Sequence, residues 1–527
     1  MFRRSSAVFP VLCLLICAVA SPAHADWRRA ESPRFIIYGE RSERALRDYA
    51  VKLETYDFLL RLRLGAEARP FDRKLPIYLV SERGLREVQP GVGRATAGFY
   101  APTGEDIFAV ALNERDDDIL FHEYFHHLSF QIGGAESLPA WLIEGLAEYY
   151  MTAEVDADGV RIGGYNENRA YGLLELPWIP LEDLLRVRPG DLDRRRGAET
   201  YYPVAWLLTH WFLSDDTRRD QLATYSRAVA SGRDSVEAMR EATGLSISEL
   251  TRTLRSYLRG RLTVTVYTFE IPDPEITVTT LSDVEGDLLL LAQRAKMGVA
   301  GDEAQARSIA EIRRRAGRHA DHPFALKLLG HAEAHSGDRG RGEQLLARYL
   351  EANPADVEAL QWLAASILTR AADAETGEQR LAMTREARAL LARAYEADDE
   401  NYYTLFLLAD SRQGAANYPT ENDVETWRQA VLLAPQLPSS RLGLAAALMQ
   451  SDRGEEAIAL LEPLSNAPHG GATAEAAKAL IDRARTGQQP LDDAALDAAA
   501  QADVETPPVP DAEPDDADGT AAPDEEN

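Results

Sequence analysis

The 527-residue chain has almost no cysteine: only Cys13 and Cys17, both within its first 25 residues. For everything after them, a disulfide framework is excluded, and so is a metal site built on thiolates. Basic residues are outnumbered as well, 57 Lys and Arg against 85 Asp and Glu, for a formal charge of −28. That balance excludes a nucleic-acid partner, because phosphate binding depends on clustered Lys and Arg. No stretch beyond the N-terminal region is long and apolar enough to cross a bilayer, so no membrane span is expected in the mature chain. Polar histidine and carboxylate chemistry is what remains available, on a chain with room for two to four domains.

The two ends read as processing and solubility segments. Arg3-Arg4 precede an apolar stretch from Ala7 to Ala20, and Ala23-His24-Ala25 offers small residues for cleavage. Residues 1–25 are therefore expected to be a secretory signal peptide, with an uncleaved anchor as the alternative. Leu15-Ile16 before Cys17 are too large for lipoprotein processing, so export to the periplasm or exterior of a bacterium is expected without lipidation. At the other end, residues 487–527 carry thirteen acidic residues and no basic one from Asp492 onward, interspersed with Ala and Pro. This is the composition of a disordered, solubilising tail.

The strongest chemical signal is His122-Glu123-Tyr124-Phe125-His126, followed after seventeen residues by Glu144 in Trp141-Leu142-Ile143-Glu144-Gly145. Residues four apart share a helix face, so both imidazoles can reach one metal ion. Asp116, Asp117 and Asp118 favour a helix N-terminus, Phe121, Phe125 and Leu128 supply a buried face, and Gly133-Gly134 ends the run. A second helix is expected to start at Ser137-Leu138-Pro139, with Ser137 as cap, and to run to Tyr150. The short turn makes the two helices neighbours and brings Glu144 back as third ligand. Two imidazoles and one carboxylate suffice for a catalytic Zn2+ that keeps its fourth position open. Glu123, placed beside that position, is the expected general base. Glu148 lies one turn beyond Glu144; it is either a partner for the outer N–H of a ligating histidine or an ordinary solvated carboxylate.

HEYFH followed by a glutamate in a WLxEGLAEY context resembles the gluzincin zinc metallopeptidases, which include thermolysin and the aminopeptidases related to leukotriene A4 hydrolase. The resemblance spans Phe35 to Leu262, with its specific motifs confined to 122–150 and the neighbourhood of 202. It implies that His122, His126 and Glu144 bind zinc, that Glu123 is the general base, and that a tyrosine hydroxyl stands near the developing oxyanion. Tyr201 and Tyr202, at the start of an apolar helix, are the candidates, and Tyr202 fits the family pattern better; a buried structural role is the alternative for either. The chain departs from the aminopeptidases in lacking a GxMEN-type strand. In its place Ala97-Gly98-Phe99-Tyr100 and Ile107-Phe108-Ala109-Val110-Ala111 read as a hairpin, whose edge could pair with an extended substrate backbone. Endopeptidase activity is therefore expected ahead of aminopeptidase activity.

Phe35 to Tyr38 and Leu75 to Val80 read as strands, with a helix between them from Glu43 to Leu62. Strands before the zinc helix and helices after it predict an α+β zinc metallopeptidase-like domain over 26–262. Residues 153–200 are read either as an insertion bordering the cleft or as a loop packed away from it. The strand-like passage around Pro272-Asp273-Pro274 predicts a linker over 263–282. From 283 to 486, Ala- and Leu-rich helical pairs recur; Pro323 and Pro354 are 31 apart, and Pro435 and Pro468 are 33 apart. This resembles tetratricopeptide repeats, whose period is about 34. It implies an all-α solenoid of four or five units, with an irregularity between 365 and 400. Such an array either binds a peptide or protein partner in its groove, or braces the catalytic domain or mediates self-association.

Three functions are compatible with these readings. The first is an exported zinc peptidase acting on a peptide or protein substrate recruited by the repeats. The second is a catalytically inactive repeat-based binding or assembly scaffold, and the third is zinc-assisted hydrolysis of a non-peptide bond.

Overall fold

Residues 26–66, 73–93, 96–113, 117–133, 138–156, 159–165, 167–192, 198–466, 471–492, 495–496 and 498–499 are described by the computed structural model. The expected signal peptide, Asp116, Gly134, the Ser137 cap and most of the acidic tail lie outside the described residues.

The first part of the chain opens with β1 (Arg28–Glu31), β2 (Phe35–Gly39), α1 (Glu43–Leu64), β3 (Leu75–Val80), α2 (Glu82–Val88), β4 (Gly98–Pro102) and β5 (Ile107–Leu112). Ser42 caps α1 by accepting from the Ala45 N–H, and Gly65 ends it in the left-handed conformation, φ 65°. Every residue of β3 is buried. That continuous burial marks a central strand, and β3 lies between β2 and β5, parallel to both. The expected α+β unit thus has a parallel centre: α1 carries the chain back between β2 and β3, and β4, running opposite to β3, carries it back before β5. The expected hairpin is present, with β4 antiparallel to β5 and Tyr100 opposite Ala109.

Next come α3 (Asp118–Ile132), α4 (Ala140–Tyr150), β6 (Glu154–Asp156), β7 (Gly159–Ile162), α5 (Glu167–Leu174), α6 (Leu181–Arg186), α7 (Ala198–Leu213), α8 (Asp216–Ala230), α9 (Ser235–Thr243) and α10 (Ile247–Leu258). α3 packs on the β4–β5 hairpin, and α4 packs between α3 and α7. Gly145 lets α4 and α7 touch: a Cβ there would stand 2.7 Å from the Ala205 carbonyl oxygen and closer still to Thr209 Oγ1. α7 begins at Ala198, earlier than the tyrosine pair, and carries Pro203 inside it.

Residues 263–282 differ from the expected linker. They contain β8 (Thr265–Thr268), which pairs with β7, and β9 (Thr277–Thr280), which pairs with β1. The completed sheet runs β4-β5-β3-β2-β1-β9. Pro272 and Pro274 therefore lie in the crossing between two sheets of one unit, where a residue with no N–H costs no ladder bond.

The remaining helices form a stack of helical hairpins, an all-α repeat array: α11 (Asp283–Met297) with α12 (Asp302–Ala316), α13 (Pro323–Ser336) with α14 (Arg339–Ala352), α15 (Val357–Ala372) with α16 (Gly377–Ala397), α17 (Tyr402–Asp410) with α18 (Glu421–Leu433), and α19 (Pro438–Gln450) with α20 (Gly454–Ser465), followed by α21 (Gly471–Arg485). The irregularity expected between 365 and 400 is the 21-residue α16, against 14 residues in α14. Close crossing again uses glycine, since a Cβ on Gly342 would lie 2.5 Å from the Ala334 Cα. The array is not tethered loosely. Leu289 and Leu290 of α11 share a core with Tyr78 and Phe108, while Tyr402, Leu433 and Leu437 join the core that contains Phe35 and Phe121. Among the described residues no helix is long and apolar enough to cross a membrane.

Candidate metal centre

α3 exposes His122 and His126 toward α4 because its opposite face is committed to the core through Phe121, Phe125 and Leu128. Their Nε2 atoms are 3.1 Å apart. Glu144 Oε2 lies 3.4 Å from His122 Nε2 and 3.5 Å from His126 Nε2. Three donor atoms thus form a nearly equilateral triangle. Ligands about 2.0–2.1 Å from a tetrahedral zinc are separated by roughly 3.3–3.4 Å, so the triangle has the right size and donor set for that ion. Among the described residues this is the group of His, Cys, Asp and Glu side chains arranged to hold a metal.

Glu148 is fully buried, and its Oε1 lies 3.3 Å from His122 Nδ1. Of the two readings open in the sequence, the solvated carboxylate is therefore the wrong one. The other side of Glu148 meets Arg169 of α5 in a two-pronged pair, Nε to Oε2 and Nη2 to Oε1, both 2.8 Å. Burial raises the Glu148 pKa, but Arg169 and His122 outweigh it and hold the carboxyl at about 2. For His122 burial opposes the charged ring, yet contacts with Glu144 and Glu148 raise its pKa to about 10 in the metal-free protein.

Arg169 was not singled out in the sequence. It lies in the 153–200 stretch, which therefore borders the site, and its guanidinium also stands 5.4 Å over the Tyr202 ring. Replacing Arg169 with Leu is expected to cost about 3–5 kcal/mol, because a fully buried carboxylate loses its counter-charge. Chemical denaturation of the metal-free variant and wild type checks this.

The two tyrosines separate clearly. Tyr202 is half-buried with its ring centroid 6.4 Å from that of His122. Tyr201 is fully buried in the core, where burial and the charge of Glu144 push its phenol well above the ordinary value. Glu123 is half-buried on α3, and its charge reaches the phenol of Tyr100 on β4. Tyr100 was likewise missed as an individual residue. Its hydroxyl lies 2.9 Å from Nδ1 of His127, the residue after His126. Burial, then Arg73 and Arg61, lower the His127 pKa to about 3, so this ring is neutral.

β4 ends the sheet. The bonds from Leu112 N to Ala97 O and from Thr103 N to Asp106 O fix the ladder's alternation. By that alternation Gly98 and Tyr100 direct their backbone N–H and C=O away from β5, toward the side of β4 that has no strand neighbour among the described residues.

An α+β unit with a buried His-His-Glu triangle, joined to stacked helical hairpins, is the class that fold and site define. No protein-family model matches the chain, and no curated protein does. Solved structures similar to it include two proteins of low identity. One is the crystal structure of TTC0263, a thermophilic TPR protein in Thermus thermophilus, with 16% identity, a TM-score of 0.32, and coverage of 39% of this chain and 98% of that one. The other is MamA MSR-1 C2, with 18% identity, a TM-score of 0.24, and coverage of 37% and 93%.

Proposed function

We propose that this chain is an exported zinc-dependent peptidase, and that it acts on extended peptide segments as an endopeptidase. The observation that carries this reading is the 3.1–3.5 Å triangle of His122, His126 and Glu144 on neighbouring helices. Zinc, when bound, supplies Lewis acidity that brings a coordinated water's pKa toward neutrality and polarises a carbonyl. The protein's own groups do the rest. Glu148, anchored by Arg169, holds the His122 ring in orientation. Glu123 takes a proton from the attacking water and delivers it to the leaving amine nitrogen. Tyr202 donates its hydroxyl hydrogen toward the developing oxyanion. The β4 edge at Gly98 and Tyr100 aligns the substrate backbone, and Gly98-Phe99-Tyr100-Ala101-Pro102 offers no carboxylate to hold a free amino terminus.

The stacked hairpins favour a second reading, a repeat-based protein-binding scaffold without turnover. Metal content and hydrolysis distinguish the two. Purified protein is expected to hold one zinc per chain by elemental mass spectrometry, to cleave internal bonds of a peptide library, and to lose both properties in the His122→Ala/His126→Ala variant. Zinc-free protein after reconstitution would sink the peptidase reading.

A further inference from the structure

The turn between β4 and β5 is short and polar, with Thr103 and Asp106 buried and Gly104 exposed. Thr103 closes it, its N–H and hydroxyl both donating to the Asp106 carbonyl at 2.8 Å. Beyond the exposed Gly104, the side chains of Glu105 and Asp106 reach the helical array. Glu105 Oε2 lies 2.9 Å from His331 Nε2 on α13 and accepts from Trp362 Nε1 on α15 at 3.0 Å. His331 is stacked on Trp362, ring centroids 4.0 Å apart and planes 16° apart, so the two rings form one rigid plate. His331 is only 2% exposed. Asp106 accepts from Gln293 and Lys296 of α11, each at 3.3 Å, and is paired with Arg73 at 2.5 Å from the catalytic side. Lys296 and Lys327 then bracket Glu358 of α15 at 2.5 and 2.7 Å. Three helices of the array converge on two acidic residues of one turn.

We infer that the helical array takes the tip of this hairpin as an intramolecular ligand, making Glu105 a positioning residue for strand β4. The inference rests on the peptidase reading only for its catalytic consequence. Among the described residues β4 has a strand neighbour on one side alone, and a sheet edge held by one ladder is free to fray. The clamp at the tip and the Tyr100–His127 bond at the centre fix the strand at two points, one of them at Tyr100, whose backbone points away from β5. Glu105 touches neither the metal triangle nor Glu123; it acts through the ladder. Of the roles open for the array in the sequence, bracing is the one these contacts serve along α11, α13 and α15.

The test uses the full-length, zinc-loaded protein with Glu105→Ala, Glu105→Gln and Trp362→Phe. Amide exchange over residues 98–112 is expected to quicken about tenfold in Glu105→Ala and less in Trp362→Phe, which loses one donor but keeps the stacking. Glu105→Gln, which keeps an acceptor, should fall between wild type and Glu105→Ala. Zinc content should stay at the wild-type level. KM for a long peptide should rise about tenfold in Glu105→Ala while kcat changes far less. Unchanged exchange in the hairpin in both Glu105→Ala and Trp362→Phe would overturn the inference, as would an equal fall in kcat with KM constant. Wild-type protein without hydrolysis would instead defeat the peptidase reading, and the exchange result would still decide the clamp. Should Glu105→Ala not fold, Trp362→Phe carries the same comparison.

Discussion

Glu123→Gln is expected to lower kcat/KM on a peptide substrate by about 10²–10⁴-fold while one zinc per chain stays bound. Glutamine preserves the shape and much of the hydrogen bonding of the side chain but cannot accept and return a proton. Glu123 stands outside the His122, His126 and Glu144 triangle, so its charge is not needed to hold the ion. It is also only half-buried, which predicts a melting temperature close to that of wild type. Two proton transfers run through this one carboxylate in the proposed mechanism, which places the expected loss toward the upper end of the range. The measurement pairs steady-state hydrolysis of a fluorogenic peptide with elemental analysis of the same sample. Wild-type turnover in the variant would remove Glu123 from the mechanism; loss of zinc alongside activity would make it a structural residue of the site instead.

The local chemistry of this site was legible because its parts are close in sequence. Four-residue spacing on α3 and a short connection to α4 suffice to bring His122, His126, Glu144 and Glu148 together. The hairpin was legible for the same reason, as two short runs, 97–100 and 107–111, separated by a brief polar connection. Arg169 was not, because it is a single basic residue in a stretch without periodicity, and its partner Glu148 lies 21 positions earlier. β8 and β9 show how a correct local pattern can still misplace a boundary. Alternating Thr and Val suggested extended chain, but nothing local reveals that Thr279 pairs with Arg29. A strand that returns across most of a domain looks, from its own residues, the same as a linker. The clamp on Glu105 was hidden more deeply still, since His331 and Trp362 belong to helices whose patterns are fully accounted for by their own hairpins. Periodicity identifies which face is buried and says nothing about what buries it.

Zinc uptake is expected to release about one proton from His122 per ion bound between pH 7 and 9, and to strengthen about tenfold for each pH unit over that window. In the metal-free protein burial disfavours the imidazolium, but the Glu144 and Glu148 carboxylates reverse that and hold the His122 pKa at about 10. The direction of linkage follows. A histidine whose pKa is raised above its ordinary value of about 6.5 stabilises the fold fully below that value and loses the contribution as pH climbs through the raised one. The charged His122 is therefore part of what holds two buried carboxylates, Glu144 and Glu148, in place before metal arrives. A ligating nitrogen must give up its proton, so the ion competes with that proton for His122 Nε2 and takes over the same electrostatic task. Competition against a chelator of known affinity at pH 7, 8 and 9, with proton release followed by an indicator dye, measures both quantities. An affinity independent of pH across this range, with no proton released, would mean that His122 is already neutral and that Arg169 alone balances the buried carboxylates.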